Sequence, residues 1–283
     1  MTTAPESPSS SMSGDGHSSK GDSGVNVIDT DHLLSLRGIA KNFGAVQALA
    51  NCDLDVPAGQ VTALIGDNGA GKSTLIKCIA GIHEPSSGKI YWKGNEVHLH
   101  TPRAATDLGI ATVYQDLALC DNLDIVQNMF LGQEETRRGL LNEVKMELDT
   151  RKTLSDLSVT TVKSVRQLVG SLSGGQRQAV AVARAVMRES QMVILDEPTA
   201  ALGVSQTAQV LDLIRTLSSH GIAVIVISHN LIDVFKVADR IAVMHLGTIV
   251  SHGPIENYDT ASAVELITTG ESSRVPQSLS PAQ

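Results

Sequence analysis

The chain has 283 residues, of which 42% are hydrophobic, 18% charged and only 2% aromatic, and it carries a net charge of −8. That length suits one large domain or two small ones, and an aliphatic core poor in rings fits a parallel α/β sheet covered on both faces. The acidic balance argues against nucleic acid as a partner, which calls for a basic face.

Residues 1–31 are rich in Ser, Gly, Asp and Pro, with few apolar residues before Val25, and read as a disordered tail. The stretch 271–283 reads the same way, leaving a folded domain over 32–270. Leu33–Ile39 and Cys52–Val56 alternate as half-exposed strands. Val61–Ile65 is a short aliphatic strand running into a glycine loop, and Lys72–Ala80 is a helix ended by Gly81. A hairpin is predicted over Lys89–Val97 around Lys93-Gly94-Asn95, then a strand at Ile110–Tyr114. From about 117 to 172 the pattern turns helical and polar, which suggests an inserted subdomain. Strands return at Met192–Leu195, Ala223–Ile227 and Ile241–Leu246, separated by helices at about 208–217 and 231–238. This alternation predicts a parallel sheet with right-handed crossovers. Ile222–Ile227 is the longest aliphatic stretch, far short of the ~18 residues of a membrane span. The start resembles no signal peptide, and Cys52, Cys78 and Cys120 show no metal-like spacing, so buried free thiols in a cytosolic chain are expected.

Gly66-Asp67-Asn68-Gly69-Ala70-Gly71-Lys72-Ser73-Thr74 completes the pattern G-x-x-x-x-G-K-[ST] between a strand and a helix. The glycines let successive N–H groups point inward as an anion nest, and the helix start adds its positive end. Lys72 supplies a point charge for β- and γ-phosphates, and Ser73 a hydroxyl for Mg²⁺. Met192–Glu197 is an aliphatic strand ending in two carboxylates, which at the C-terminal edge of a parallel sheet reach the same crevice. Asp196 is the natural Mg²⁺ holder and Glu197 the base that polarises the attacking water. Leu172-Ser173-Gly174-Gly175-Gln176 forms a capping box before a helix from Arg177 to about Glu189. Its two glycines leave N–H groups open to an anion.

With that segment the chain resembles the ATP-binding-cassette ATPases over roughly 33–270. Leu172–Gln176 is similar to their signature, and the glycine loop, Gln115, Asp196-Glu197 and His229 stand in that family's order. The resemblance implies a phosphate-loop NTPase (RecA-like) parallel core with an antiparallel β region and an inserted helical subdomain. It implies a head-to-tail dimer, in which each ATP lies between one glycine loop and Ser173, Gly174, Gly175 and Gln176 of the second copy. It also implies that Phe43 stacks on adenine, that Gln115 touches Mg²⁺ and the water, and that His229 contacts the γ-phosphate and orients Glu197. One departure stands out: the family often has Ser-Ala-Leu-Asp after the acidic strand, whereas this chain has Ala200-Ala-Leu-Gly203.

Finer stretches, among them Ala111–Asp116 and Asn128–Gly132, resemble the monosaccharide-import branch, of ribose, xylose and fructose type. That implies two copies on the cytoplasmic face of the membrane, gripping a permease through residues near Gln115–Gly132, with an extracytoplasmic sugar-binding protein delivering the solute. A GTPase would need an Asn-Lys-x-Asp motif, which is absent. A soluble non-transport cassette and a nucleotide-sensing cassette with little turnover remain the alternatives.

Overall fold

The computed structural model describes residues 32–187 and 189–276; the expected tail at 1–31, and the other from 277, lie outside them. In chain order the elements are β1 (His32–Phe43), β2 (Val46–Pro57), β3 (Val61–Gly66), α1 (Lys72–Ile79), β4 (Ser87–Trp92), β5 (Asn95–Val97), α2 (Pro102–Asp107) and β6 (Ile110–Val113). The insertion holds α3 (Ile125–Phe130), a small hairpin of β7 (Thr136–Arg137) and β8 (Leu140–Leu141), and α4 (Glu143–Asp156). Then come α5 (Gly174–Val186), β9 (Met192–Asp196), α6 (Val204–Ser219), β10 (Ala223–Ile227), α7 (Leu231–Val237), β11 (Arg240–His245), β12 (Thr248–Pro254) and α8 (Thr260–Thr269).

The central sheet has the order β12-β11-β3-β10-β9-β6, parallel from β11 to β6 with β12 antiparallel at the edge. Its inner strands β3, β9 and β10 are largely aliphatic because both faces are covered. Val61, Ala63 and Ile65 of β3, with Val224 and Val226 of β10, join one core with the helices of the insertion, α6 and α7. Leu64, Ile225 and Ile227 face the opposite core, where they meet Leu75, Ile76 and Ile79 of α1 and the antiparallel sheet β2-β1-β4-β5. Each fully buried aliphatic side chain contributes about 1.5–3 kcal/mol relative to exposure. The predicted hairpin turns at Lys93 and Gly94, both left-handed with φ 52° and 77°, as a two-residue turn between twisted strands requires.

Helix α5 starts at Gly174 and stops at Val186, earlier at both ends than the sequence pattern suggests. Ser173 caps it: Ser173 Oγ accepts from the Gln176 N–H at 3.3 Å and Gln176 Oε1 from the Ser173 N–H at 2.9 Å. That reciprocal cap draws both glycines into the first turn. Strand β12 and helix α8 had no counterpart in the sequence reading. Residues 271–276, assigned there to a tail, stay against the domain, with Ser272 Oγ donating to Glu265 Oε2 at 2.6 Å and Val275 buried. All three cysteines are free, and burial pushes the Cys52 and Cys78 thiols up to about 11, where they are inert at neutral pH.

Candidate nucleotide site

At the C-terminal edge of the sheet, the ends of β3, β9, β10 and β11 open into a cavity of about 900 Å³. Its walls carry Gly66, Asp67, Asn68, Gly69, Gly71, Lys72, Ser73, Thr74, Gln115, Asp196, Glu197 and His229. Segments as distant in sequence as 66–74, 115, 196–197 and 229 therefore converge, because the parallel sheet ends each of its strands at the same edge. Ala70 is buried beneath the loop rather than lining it, and its carbonyl accepts from the Gly247 N–H at 3.0 Å.

The loop's shape depends on missing side chains. A Cβ on Gly66 would run into the Met244 carbonyl, and one on Gly71 would lie 2.9 Å from both the Ala48 carbonyl oxygen and Leu49 Cδ2. Gly71 is also left-handed, with φ 102°. Gly71→Ala is expected to cost at least about 1–2 kcal/mol from the backbone alone, with the clash added. The checks are a lower urea midpoint at unchanged slope, and loss of ATP binding.

Lys72 is buried, and its Nζ donates to the carbonyls of Gly66 at 2.7 Å and Asp67 at 2.9 Å. Burial pushes its ammonium below the usual lysine value, against the opposing charges of Glu197, Asp67 and Asp196. Burial pushes the Asp196 carboxyl up, Glu197 adds to the shift, and Lys72 and Lys77 oppose it. Burial thus disfavours the charged form of both groups more than their mutual attraction restores it.

A raised folded value means that Asp196 contributes stability below its unfolded value, and that this is lost as pH rises through the folded one. Ionised Asp196 therefore destabilises the ATP-free chain at neutral pH, net of its attraction to Lys72. Asp196→Asn is expected to raise the thermal midpoint of the ATP-free protein at pH 7. The difference should shrink in acid as the wild-type carboxyl protonates, and turnover should be lost.

Glu197 follows β9 in the left-handed region at φ 51°, a conformation that costs a non-glycine residue roughly 1–2 kcal/mol. The kink lets its N–H donate to the Ile227 carbonyl of β10 at 3.0 Å. Its Oε2 lies 2.8 Å from His229 Nδ1; Glu197 is mostly buried while His229 is 71% exposed. A carboxylate, the imidazole it contacts, a cation and the glycine loop thus face one cavity.

Ser73, Gln115 and Asp196 offer hydroxyl, amide and carboxylate oxygens, the hard donors that suit Mg²⁺. No cluster of three or more His, Cys, Asp or Glu that could hold a metal occurs among the described residues.

Two expected contributors are not in the cavity. Phe43 is 44% exposed and in edge contact with His83, with ring centroids 5.2 Å apart; it pairs across the β1–β2 turn with Val46, which does line the cavity. Ser173, Gly174, Gly175 and Gln176 do not line it either; a Cβ on Gly174 would meet Leu202 Cδ2 at 2.7 Å. Sequence reasoning missed the walls Val46, Gln47, Ala48, Ala200, Ile227, Leu246 and Gly247. They supply surface and backbone, so no chemical pattern flags them.

Comparison with known proteins agrees with this geometry. The family described as ABC transporter matches residues 49–200. The chain is 45% identical to a xylose/arabinose import ATP-binding protein of Sulfolobus acidocaldarius, over 84% of this chain and 94% of that one. It is 44% identical to a fructose import ATP-binding protein of Rhizobium meliloti, over 83% and 94%. A ribose import ATP-binding protein of Rubrobacter xylanophilus is 40% identical, over 83% of this chain but 47% of that longer one. Among solved structures, an ATP-binding cassette of an ABC transporter superposes with a TM-score of 0.74 at 28% identity, covering 83% of this chain and 98% of that one. With its sheet edge, phosphate loop and acidic strand in this arrangement, the chain belongs to the ABC transporter family, as an ATP-binding cassette.

Proposed function

We propose that this chain is the ATP-hydrolysing subunit of an importer that moves a monosaccharide through a separate membrane permease, working on the cytoplasmic face of the membrane as a dimer of two copies. The observation that carries the ATPase reading is the 2.8 Å contact between Glu197 and His229 on the wall that also holds the phosphate loop. Glu197 is the general base for the attacking water, and His229 orients it and reaches toward the γ-phosphate. Lys72 and the loop N–H groups bind the β- and γ-phosphates of ATP. Ser73, Gln115 and Asp196 would hold Mg²⁺, which would neutralise phosphate charge. Phe43, beside Val46 at the cavity mouth, stacks on adenine.

The transport half of the reading rests on relatives named for import of xylose/arabinose, fructose and ribose. A second cavity of about 310 Å³, lined by Tyr114, Asp116, Leu117, Leu131 and Arg184, lies next to Gln115 and is where the permease docks. No helix among the described residues is long and apolar enough to cross a membrane. An extracytoplasmic sugar-binding protein delivers the solute to the permease. Affinity capture of the tagged chain from its own membranes is expected to recover an integral permease and to yield sugar uptake on reconstitution. Recovery of ribosomes or DNA alone would overturn the importer reading.

A further inference from the structure

Asp233 lies in the first turn of α7 and is 6% exposed. An acid at that position suits the helix dipole, but the dipole does not explain why the side chain is buried and shared. Asp233 Oδ2 accepts two hydrogen bonds, each 3.0 Å long: one from Thr199 Oγ1 and one from Asn230 Nδ2. Thr199 stands two residues after Glu197, and Asn230 directly follows His229. Asn230 has its other atoms committed, because Oδ1 accepts from the Ile232 N–H at 3.1 Å and its own N–H donates to Ser228 Oγ at 3.0 Å. Its amide is therefore fixed with Nδ2 toward Asp233.

These contacts close a ring. From Glu197 the chain runs to Thr199, crosses to Asp233 and then to Asn230, steps back to His229, and returns through the 2.8 Å His229–Glu197 contact. The two turns that follow β9 and β10 carry the reacting pair, and both hang on one buried carboxylate oxygen. Glu197 sits in a left-handed conformation that its surroundings must hold, and His229 is largely exposed, so packing alone does not fix the imidazole. Charge-assisted hydrogen bonds are the stronger kind, and one shared acceptor sets the spacing of both donors.

We propose that Asp233 is a positioning residue for ATP hydrolysis: it fixes the two turns so that His229 and Glu197 meet at bonding distance. The inference rests on Glu197 and His229 acting in hydrolysis. Asp233→Asn keeps the shape but leaves the two donors only a neutral amide oxygen, so both bonds lose their charge assistance. Thr199→Val removes one donor at nearly constant volume.

With purified full-length protein, each variant is expected to lower kcat about tenfold, since small displacements of a reacting group are that costly. KM for ATP and the thermal midpoint should stay close to wild type. In the His229→Ala chain, Asp233→Asn should bring no further loss, because the pair it positions is already broken. Unchanged kcat in both Asp233→Asn and Thr199→Val overturns the proposal. So does an equal loss in the wild-type and His229→Ala backgrounds, which marks a merely structural effect. If Asp233→Asn does not fold, Thr199→Val decides. Were Glu197→Gln to hydrolyse ATP at the wild-type rate, the base assignment and this proposal would fall together; an inactive Glu197→Gln beside fully active Asp233→Asn and Thr199→Val sinks this proposal alone.

Discussion

Replacing Glu197 with Gln is expected to lower ATP turnover by about two to four orders of magnitude, the usual weight of a general base, while ATP binding stays close to wild type. The substitution keeps the volume, the hydrogen-bonding reach to His229 and the left-handed backbone at φ 51°. It removes the basic oxygen pair. The phosphate loop, Lys72 and Asp196 are untouched, so nucleotide affinity has no reason to fall. Removing a negative charge next to Lys72 and Asp196 should even ease the mutual burden that raises the Asp196 carboxyl. If hydrolysis is what reopens the dimer, the variant should accumulate as an ATP-bound dimer in size-exclusion chromatography, with wild type dimeric only transiently. Wild-type turnover by Glu197→Gln would remove Glu197 from the chemistry. A parallel loss of ATP binding would show that the residue serves the fold of the site instead.

The His229 contact makes a graded comparison possible. His229→Ala leaves the base in place without its orienting partner. A loss smaller than that of Glu197→Gln is expected, because the imidazole acts on the carboxylate rather than on the water.

Much of this site was legible in the sequence, for a physical reason. Phosphate binding needs consecutive backbone N–H groups, a lysine and a hydroxyl in one short loop, so Gly66–Thr74 carries its chemistry in contiguous residues. The strands were legible where burial on both faces makes them wholly aliphatic: β10 runs from Ala223 to Ile227, as its composition predicts. Strand β12 was harder to read. It alternates as a one-sided edge strand, and Gly253 and Pro254 interrupt its apolar pattern. Helix α8 is signalled by the reciprocal cap of Asp259 and Ser262, in which Ser replaces the usual Glu or Gln.

Asp233 was invisible for a different reason. In the sequence it is an ordinary acid at a helix start, and only the fold brings Thr199 to its carboxylate. The cavity walls Val46 and Leu246 were invisible because they offer surface, and surface has no spacing rule. Gly203, flagged by sequence as a departure, caps α6 without a side-chain hydrogen bond, and a Cβ there would meet nothing within 4 Å. The fold therefore has room for the family's more usual Asp, and its absence is not a steric demand of this chain.

Within one copy, Ser173–Gln176 stand apart from the cavity, so their expected role in ATP binding can only be played across a dimer. Subunit mixing tests this directly. Lys72→Ala disables the loop of one chain and leaves its signature intact; Ser173→Arg does the reverse, placing a bulky cation at the N-terminus of α5. Each variant alone is expected to be nearly inactive, because every site in its homodimer lacks one half. When the two are mixed in equal amounts and exchange freely, half of the dimers are mixed. Each mixed dimer holds one site made of two intact halves and one site with both halves damaged. Turnover should therefore recover to about a quarter of the wild-type rate per chain if the sites act independently in a two-fold dimer. A yield well below that means that one intact site cannot fire alone, which places communication between the sites within the catalytic cycle. No recovery despite demonstrated exchange would mean that the signature does not act in trans, and activity in either variant alone would mean that the altered half is dispensable. Dilution supplies an independent check: if the site is shared, wild-type turnover per chain must fall as the chains separate, whereas a self-contained site would keep its rate.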